Sequence, residues 1–240
     1  MWIHSAKLGV DVEVTPGAVV TRWAEVGDRV VVHPGAVVGG DPQYLAFDRK
    51  TPSWVRVGAD STLREGVTLN RSIYEDRATE VGARCFFMAN FHAGYDCAVA
   101  DDVVLANGAL LDGHVEMVAF SFIGGNAAVH QFSRSGAVVM VAGVAPIISD
   151  VPPYCVVADR NAVAGLNLVG LKRRGWSCEV MRELKEAYRA VMQPVGNMRA
   201  MAATLRPDAQ SEQARTFLEF FSDGKRPLAR PRRGREQGTE

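Results

Sequence analysis

Side chains that can act as acids or bases are clustered in one short stretch of the chain, where His92, Tyr95 and Asp96 lie within five residues. His114 and His130 follow at intervals of 22 and 16 residues. An imidazole is the side chain best suited to move protons near neutral pH, and a carboxylate or a phenol can orient or assist it. The sequence contains no HxxxxH pair. We therefore predict proton transfer at this stretch and no metal site.

A six-residue repeat organises the part of the chain that carries these residues. The repeat places an aliphatic residue at every sixth position, with one slip in phase between Val38 and Val57. The two longest runs are Leu8, Val14, Val20, Val26, Val32, Val38 and Val81, Phe87, Ala93, Val99, Leu105, Leu111, Met117, Ile123, Val129. Neither an α-helix nor a hairpin sheet has this period, whereas a triangular coil of three short strands does. The sequence therefore predicts a left-handed parallel β-helix.

Three hexads make one coil, so residues 18 apart in the sequence are expected to stack about 4.8 Å apart. Asp96 precedes His114 by 18 residues, and Asp112 precedes His130 by the same interval. We expect each histidine to have a carboxylate one coil away, which would orient its ring and raise its pKa. For His130, a structural position inside the coil stack is favoured slightly over a catalytic role. Cys85 and Cys97 fall on the register of small residues and are expected to be buried.

Changes in composition divide the chain into three regions. Residues 1–150 are predicted to form the β-helix, with an excursion loop at 39–54 and a smaller one at 72–80. A Pro-Pro pair ends the repeat, and residues 151–222 form a C-terminal helical region with helices at 178–191, 197–205 and 210–221. Ser177 is the predicted N-cap of the first helix. Residues 223–240 are basic and rich in proline and glycine, and we interpret them as a disordered, solvated tail rather than a binding site.

Bulk composition narrows the classes of partner. Lys and Arg number 27, as do Asp and Glu, so overall charge predicts no nucleic-acid partner. The longest apolar run, residues 137–148, is too short to span a bilayer, and no signal peptide is recognisable. The four cysteines show no CxxC pairing. We expect a protein of the reducing cytoplasm with no membrane span.

Several motifs go beyond a generic hexad repeat, namely NFHAGYDC (90–97), LANGALLDGHV (105–115), IGG (123–125), AVHQF (128–132), DVPPY (150–154) and NLVGLKRRGWS (167–177). Together they resemble the acyl-carrier-protein–UDP-N-acetylglucosamine O-acyltransferase family of lipid A synthesis, over nearly the whole chain. The resemblance implies a homotrimer with active sites in clefts between neighbouring β-helices. It also implies transfer of a hydroxyacyl group from an acyl-carrier-protein thioester to the sugar hydroxyl of a small-molecule acceptor, with no cofactor besides the pantetheine thioester.

The same resemblance implies roles for individual positions. His92 matches the first histidine of the family's catalytic motif, and Gly113 matches the amide that faces the oxyanion. The positions that match substrate contacts are His114, His130 and Gln131, Asn167 for the nucleotide, Arg173 and Arg174 for the nucleotide and phosphopantetheine, and Gly143 for the length of the acyl chain.

Three positions depart from the family's pattern. The family's general-base histidine is Tyr95 here, its acidic loop residue is Tyr44, and its substrate-binding lysine is Ala46, whereas Asp96 is retained. A phenol with a pKa near 10 is a poor base, and losing a placed base costs about 100- to 10,000-fold in rate. We therefore predict an altered acyltransferase whose acceptor is not UDP-N-acetylglucosamine. In this interpretation His92 acts as the base and Tyr95 as a hydrogen-bond or proton donor.

Three other functions remain open at this point. Tyr95 and His92 could form an acid/base pair for a reaction other than transfer on a carrier-bound substrate. The chain could retain the parent family's UDP-N-acetylglucosamine O-acyltransferase activity, or it could bind the carrier protein without catalysis. Retention of His92, Gly113 and His114 favours an enzyme over a binding protein.

Overall fold

Short parallel strands wind into a coil over most of the chain in this computed structural model, which describes residues 2–3, 5–224 and 226–232. The coil is a left-handed parallel β-helix, so the predicted fold class is confirmed. Its strands are β1 (Trp2–Ile3), β2 (Lys7–Leu8), β3 (Glu13–Val14), β4 (Val19–Val20), β5 (Ala24–Val26), β6 (Val31–Val32), β7 (Val37–Gly40), β8 (Trp54–Val57), β9 (Thr62–Leu63), β10 (Thr68–Asn70), β11 (Ala78–Val81), β12 (Phe86–Phe87), β13 (His92–Ala93), β14 (Ala98–Val99), β15 (Val104–Leu105), β16 (Leu110–Leu111), β17 (Glu116–Met117), β18 (Phe122–Ile123), β19 (Ala128–Val129), β20 (Arg134–Ser135), β21 (Met140–Val141) and β22 (Pro146–Ile147).

These strands form three faces. The first face holds β1, β4, β7, β10, β13, β16, β19 and β22, and the second face holds β2, β5, β8, β11, β14, β17 and β20. The third face runs from β3 through β6, β9, β12, β15, β18 and β21. We call the turns from first to second face the first corner (94–97, 112–115 and 130–133). The turns from second to third face are the second corner (118–121 and 136–139), and those from third to first are the third corner (124–127 and 142–145).

Strand register follows the predicted 18-residue coil. Phe87 pairs with Leu105 and Leu105 pairs with Ile123. All three side chains are fully buried inside the coil. Every second residue of a strand points to the interior, so one large aliphatic or aromatic residue per hexad fills the core. Burial of such side chains supplies the main favourable free energy of a fold with so few helices.

Each turn of the first corner contains a residue in the left-handed conformation. Asp96, His114 and Phe132 have φ of 57°, 59° and 62° at equivalent positions of successive coils. Outside glycine, this conformation is uncommon and is best tolerated by Asn, Asp and His, so the phenylalanine is the exception. The corner therefore fixes these three side chains in one row.

Two loops leave the coil at the first corner, and residues 39–40, 54 and 78–80 of the predicted excursions belong to strands β7, β8 and β11. The longer loop comprises residues 41–53 between β7 and β8, and the shorter comprises residues 71–77 between β10 and β11. Arg71 is fully buried and joins them. Its guanidinium donates to Asp41 Oδ1 at 3.0 Å and to the carbonyl of Arg49 at 2.9 Å, and it lies between the rings of Trp23 and Phe47.

The C-terminal region begins with strands rather than helices. The hairpin of β23 (Cys155–Ala158) and β24 (Ala162–Leu166) extends the third face by antiparallel pairing. The helices that follow are α1 (Leu168–Arg173), α2 (Cys178–Met192), α3 (Met198–Leu205), a 3-10 turn (Arg206–Asp208) and α4 (Glu212–Glu219). Ser177 caps α2 by accepting from the Val180 N–H. None of the helices in the described ranges is long and apolar enough to cross a bilayer.

The predicted disordered tail is corrected in part. Strand β25 (Arg230–Pro231) pairs with β24, and Leu228 forms a bridge with Asp150. This part of the tail is therefore folded onto the end of the third face, because its backbone completes hydrogen bonds that the sheet edge would otherwise leave open. Residues 225 and 233–240 of the predicted tail lie outside the described residues.

The predicted burial of Cys85 and Cys97 is confirmed, and Cys155 is buried as well. Burial raises the pKa of the Cys85 thiol to about 11 and that of Cys97 to about 12. Both thiols therefore stay protonated and serve as small core residues.

Candidate active site

Aromatic rings line the first corner from the longer loop down the row of coils. Tyr44 of that loop lies 6.3 Å from Tyr95, and Tyr95 meets the edge of His114 at 5.4 Å. His114 stacks on Phe132 at 4.4 Å with an interplanar angle of 6°, and Tyr74 of the shorter loop lies 5.9 Å from His114. We call these five residues the aromatic cluster. The structure thus brings together Tyr44, Tyr95 and His114, as the resemblance implies.

Two members of the aromatic cluster were missed in the sequence. Phe132 follows His114 by 18 residues, so the coil spacing could have identified it. Tyr74 lies on a loop outside the hexad register, and no spacing rule could place it. Ala46, in contrast, is exposed on the longer loop.

Gly113 lies directly beneath the Tyr95 ring. A Cβ atom at Gly113 would be 2.7 Å from Cε2 of Tyr95, closer than real contacts allow. The Gly113 N–H donates to Asp112 Oδ1 at 3.0 Å. The amide that the resemblance assigns to the oxyanion is therefore engaged by a carboxylate in this structure.

Replacing Gly113 with alanine is expected to push the Tyr95 ring away from His114 and to destabilise the fold by about 1–3 kcal/mol, the usual cost of overpacking. Acyl-transfer rates and urea unfolding of the variant check this expectation. Gly196→Ala is the matched control, because a Cβ there meets open space. If the two variants were equally stable, the position of the Tyr95 ring would not require a glycine at position 113.

His92 lies on β13 of the first face and is half-buried. Its Nδ1 atom is 2.7 Å from the hydroxyl of Thr68, its partner in strand register. Nε2 has no hydrogen-bond partner within the described part of the chain. Burial lowers the pKa of His92, and the nearby Asp112 carboxylate opposes this effect in part. The ring is thus held neutral near pH 7, with one nitrogen fixed and the other available.

The pKa of Tyr95 is shifted in the opposite direction, upward. Burial raises the pKa of its phenol, and the carboxylates of Asp112 and Asp96 raise it further. The phenol therefore keeps its proton and can donate a hydrogen bond, but it cannot serve as a base near neutral pH. This direction agrees with the donor role predicted for Tyr95.

The predicted pairing of carboxylates with histidines was wrong. Asp96 accepts hydrogen bonds from the Ser72 hydroxyl at 2.5 Å and the Ile73 N–H at 3.2 Å, so it anchors the shorter loop. Asp112 accepts from the Gly113 N–H. Successive coils are joined through their backbones, as when the His114 N–H donates to the Tyr95 carbonyl, and this leaves the side chains free to point elsewhere.

His130 and Gln131 lie at the same corner one coil further on. The favoured position of His130 inside the coil stack was wrong, since its side chain is exposed. Arg226 of the C-terminal segment reaches this position, with Nη2 3.2 Å from His130 Nδ1 and 2.7 Å from the Gln131 carbonyl. Arg226 was missed because the sequence places it in a region predicted to be disordered.

The remaining predicted residues lie at other corners of the same chain. Gly143 is at the third corner, where a Cβ would be 3.1 Å from the Gly125 carbonyl. Asn167 caps α1 by accepting from the Gly170 N–H, and its Nδ2 donates to the second-corner carbonyl of Val138. The exposed Arg174 lies 4.0 Å above the ring of Phe120, also at the second corner, and Arg173 is exposed beside it.

A cavity of about 1050 Å³ lies over the second face next to the aromatic cluster. Its lining includes Tyr74, His114 and Phe132 from the cluster. The charged side chains that complete it are Arg56, Asp76, Arg77, Glu80, Asp96, Glu116, Arg134 and Arg226. The described residues contain no group of three or more His, Cys, Asp or Glu side chains arranged for a metal ion.

Comparison with known proteins identifies the family. A family model described as "Udp N-acetylglucosamine O-acyltransferase; Domain 2" matches residues 150–229. An acyl-[acyl-carrier-protein]–UDP-N-acetylglucosamine O-acyltransferase from Rhizobium etli is 37% identical over 95% of this chain and 85% of its own. The corresponding Campylobacter concisus protein is 34% identical over 95% and 88%.

Solved structures agree with the sequence relatives. The UDP-N-acetylglucosamine acyltransferase from Campylobacter jejuni superimposes with a TM-score of 0.86 at 29% identity, covering 96% of this chain and 98% of that one. The enzyme from Bacteroides fragilis gives 0.88 at 28% identity, covering 95% and 98%. Fold and site together place the chain in the acyltransferase class of hexapeptide β-helix proteins. The chain belongs to the acyl-[acyl-carrier-protein]–UDP-N-acetylglucosamine O-acyltransferase family, as its motifs predict.

Proposed function

We propose that this protein transfers an acyl group from an acyl-carrier-protein thioester to a hydroxyl of UDP-N-acetylglucosamine, with His92 as the general base. The substrates are those that the relatives' names give. The observation that carries the proposal is the state of His92: a neutral ring with Nδ1 bound to Thr68 and Nε2 unoccupied. At the position of the family's usual base this chain has Tyr95, and the raised pKa of its phenol makes it unsuitable as a base.

In this mechanism Nδ1–H of His92 donates to Thr68, and Nε2 removes the proton of the acceptor hydroxyl. The hydroxyl oxygen attacks the thioester carbonyl, an ester bond forms, and the carbon–sulfur bond breaks. The leaving pantetheine thiolate takes the proton back from His92. The phenol of Tyr95 donates to the developing oxyanion, a task for which Gly113 is less free because its amide is bound to Asp112.

The site is proposed to be shared between copies of the chain in a homotrimer. The first corner holds His92 and the aromatic cluster, whereas Asn167, Arg173 and Arg174 lie at the second corner of the same chain. A second-corner patch from a neighbouring copy would supply the contacts to nucleotide and carrier protein. The protein would work in the cytoplasm, where its buried free thiols stay reduced.

A different acceptor is the second candidate. Its support is the aromatic cluster itself, since Tyr44 and Tyr95 meet where the family has an acidic residue and a histidine. The comparisons give no support to a changed acceptor, because the relatives carry the parent activity in their names.

Mass spectrometry of the purified protein with an acyl-carrier-protein thioester distinguishes the candidates. We expect an acylated product with UDP-N-acetylglucosamine. A product formed only with other hydroxy compounds or amines would replace the first candidate with the second. Consumption of no thioester with any acceptor would overturn both and leave carrier binding. Tyr95→Phe is expected to keep part of the activity, because it removes an oxyanion donor and not the base.

A further inference from the structure

The C-terminal segment 226–232 is fixed to the β-helix on one side of Arg226. The Asp150 N–H donates to the Pro227 carbonyl, and the Ala229 N–H donates to the Asp150 carbonyl, both at 2.9 Å. The next two residues form β25, which pairs with β24. The backbone that carries Arg226 therefore has a defined path.

The part of the chain that precedes Arg226 is held by a second set of hydrogen bonds. Arg199 of α3 donates to the carbonyls of Phe221 at 2.9 Å, Asp223 at 2.8 Å and Gly224 at 3.0 Å. The guanidinium has five donors in a rigid fork, so three carbonyl partners fix the direction of the chain as it leaves α4. Anchors on both sides place Arg226 at the first corner.

The Arg226 guanidinium has no carboxylate within ion-pair distance in the part of the chain that the structure describes. Its protein partners there are the Gln131 carbonyl and His130 Nδ1. Two other arginines are neutralised, since Arg134 in the same cavity lining pairs with Asp150 and Arg232, further along the same segment, pairs with Asp159. Arg226 is thus a half-buried cation with spare donors at a corner built for substrate.

Arg226 also lines the cavity over the second face, beside Phe132 and Arg134. Of the acidic side chains in the lining, Glu80 is held by Arg56, and Glu116 lies opposite Arg134 in strand register. A cation without a counter-ion in a partly enclosed cavity favours an anionic ligand, and a guanidinium suits the oxygens of a phosphate.

We propose that Arg226 binds a phosphate group of a substrate, at a subsite made by Arg226 together with the backbone and side chains of His130 and Gln131. The inference rests on the proposed function, in which both substrates carry phosphate: the diphosphate of the nucleotide sugar and the phosphodiester of the carrier's pantetheine arm. The shared chemistry is a phosphate ester held by charge-assisted hydrogen bonds.

Isothermal titration of the full chain tests the proposal without requiring turnover. The probes are UDP-N-acetylglucosamine, N-acetylglucosamine, 4′-phosphopantetheine and pantetheine. Arg226→Gln is expected to weaken binding of one phosphorylated probe about 10- to 100-fold, as expected for a hydrogen bond to a charged group, and to leave its unphosphorylated counterpart unchanged. Loss for the nucleotide sugar identifies the diphosphate as the ligand, and loss for 4′-phosphopantetheine identifies the carrier arm.

Two variants separate binding from a structural role. Arg226→Lys keeps the charge and is expected to restore much of the affinity. Arg232→Gln removes an arginine of the same segment that is already paired with Asp159, and this variant should bind both probes as wild type does. Wild-type affinity of Arg226→Gln for both phosphorylated probes, or an equal loss in Arg232→Gln, would overturn the proposal. Phosphate-dependent binding in a chain that transfers no acyl group would uphold it while the proposed function fails.

Discussion

Replacing His92 with alanine is expected to lower the rate constant of acyl transfer about 100- to 10,000-fold, the usual contribution of a placed general base. His92 is the histidine of the first corner region whose ring is fixed by a side-chain hydroxyl, at 2.7 Å from Thr68. The ring is only half-buried, so the fold should persist. Single-turnover assays with an acyl-carrier-protein thioester, together with the thermal midpoint, measure the two effects separately.

His33→Ala is the matched control for this experiment. His33 is also partly buried beside a carboxylate, with Nδ1 3.4 Å from Glu65, but it lies at the third corner, between β6 and β7, two coils before His92. Its replacement should leave the transfer rate unchanged. A rate within threefold of wild type for His92→Ala would contradict the assignment of the base.

The pH dependence of kcat/KM provides an independent test of His92 as the general base. A base must be neutral to accept a proton, and burial lowers the pKa of His92. The acidic limb of kcat/KM is therefore expected below the value of about 6.5 found for an unperturbed histidine. Thr68→Val should not change the charge of the His92 ring, but the ring loses the hydrogen bond that fixes its orientation. We therefore expect a larger decrease in kcat than increase in KM.

Replacing Asp41 with alanine is expected to cost about 3 kcal/mol of unfolding free energy, because it leaves the guanidinium of Arg71 buried without its carboxylate. Arg71 has no exposed side-chain surface, whereas a third of the Asp41 side chain is exposed, which places the cost at the lower end for a buried pair. The longer loop should lose its fixed path, and Tyr44 its contact with Tyr95. Urea unfolding and tyrosine fluorescence follow these two changes.

The exposed pair of Arg29 and Asp60 provides the comparison for Asp41. Asp60→Ala removes a shorter ion pair, at 2.6 Å against 3.0 Å for Arg71 and Asp41, but both of its partners are about half exposed, so its cost should be much smaller than that of Asp41→Ala. Similar losses for the two variants would show that Arg71 does not organise the loop.

The same ion pair predicts how stability depends on pH. Burial disfavours the charged form of Asp41, but hydrogen bonds from Arg71 and Arg49 outweigh it and hold the pKa of the carboxyl below its usual range. A carboxyl with a lowered pKa in the folded state stabilises the fold above its ordinary pKa and loses that contribution as pH falls through the lowered one. The stability difference between wild type and Asp41→Ala should therefore shrink under acid conditions.

The β-helix could be predicted because one type of residue recurs at a fixed interval along the chain. A large aliphatic at every sixth position leaves one arrangement that buries them all, and Phe87, Leu105 and Ile123 stack as the spacing requires. The same rule failed for Asp96 and His114. Spacing fixes the backbone distance between coils, but the direction of a side chain depends on which partners the neighbouring loop offers, here Ser72 and Ile73.

Other parts of the site have no signal in the local sequence. Arg226 reaches His130 across 96 positions, and Arg71 meets Asp41 across 30, in both cases between segments without a common period. An arginine buried in a loop core looks like any surface arginine until its partners are known. Such contacts depend on the packing of loops and termini, which hydrophobic periodicity does not encode.

The left-handed turns of the first corner impose a discrete geometry on anything that binds there. Groups carried by equivalent positions of successive coils, such as Asp96, His114 and Phe132, can be separated only by multiples of the strand spacing of about 4.8 Å. Insertion of a single residue would break the turn, whereas insertion of a whole 18-residue coil between Tyr95 and His114 would keep the fold and lengthen the site by one step. Substrate size in such a scaffold can therefore evolve in increments of one strand, without a gradual series between them.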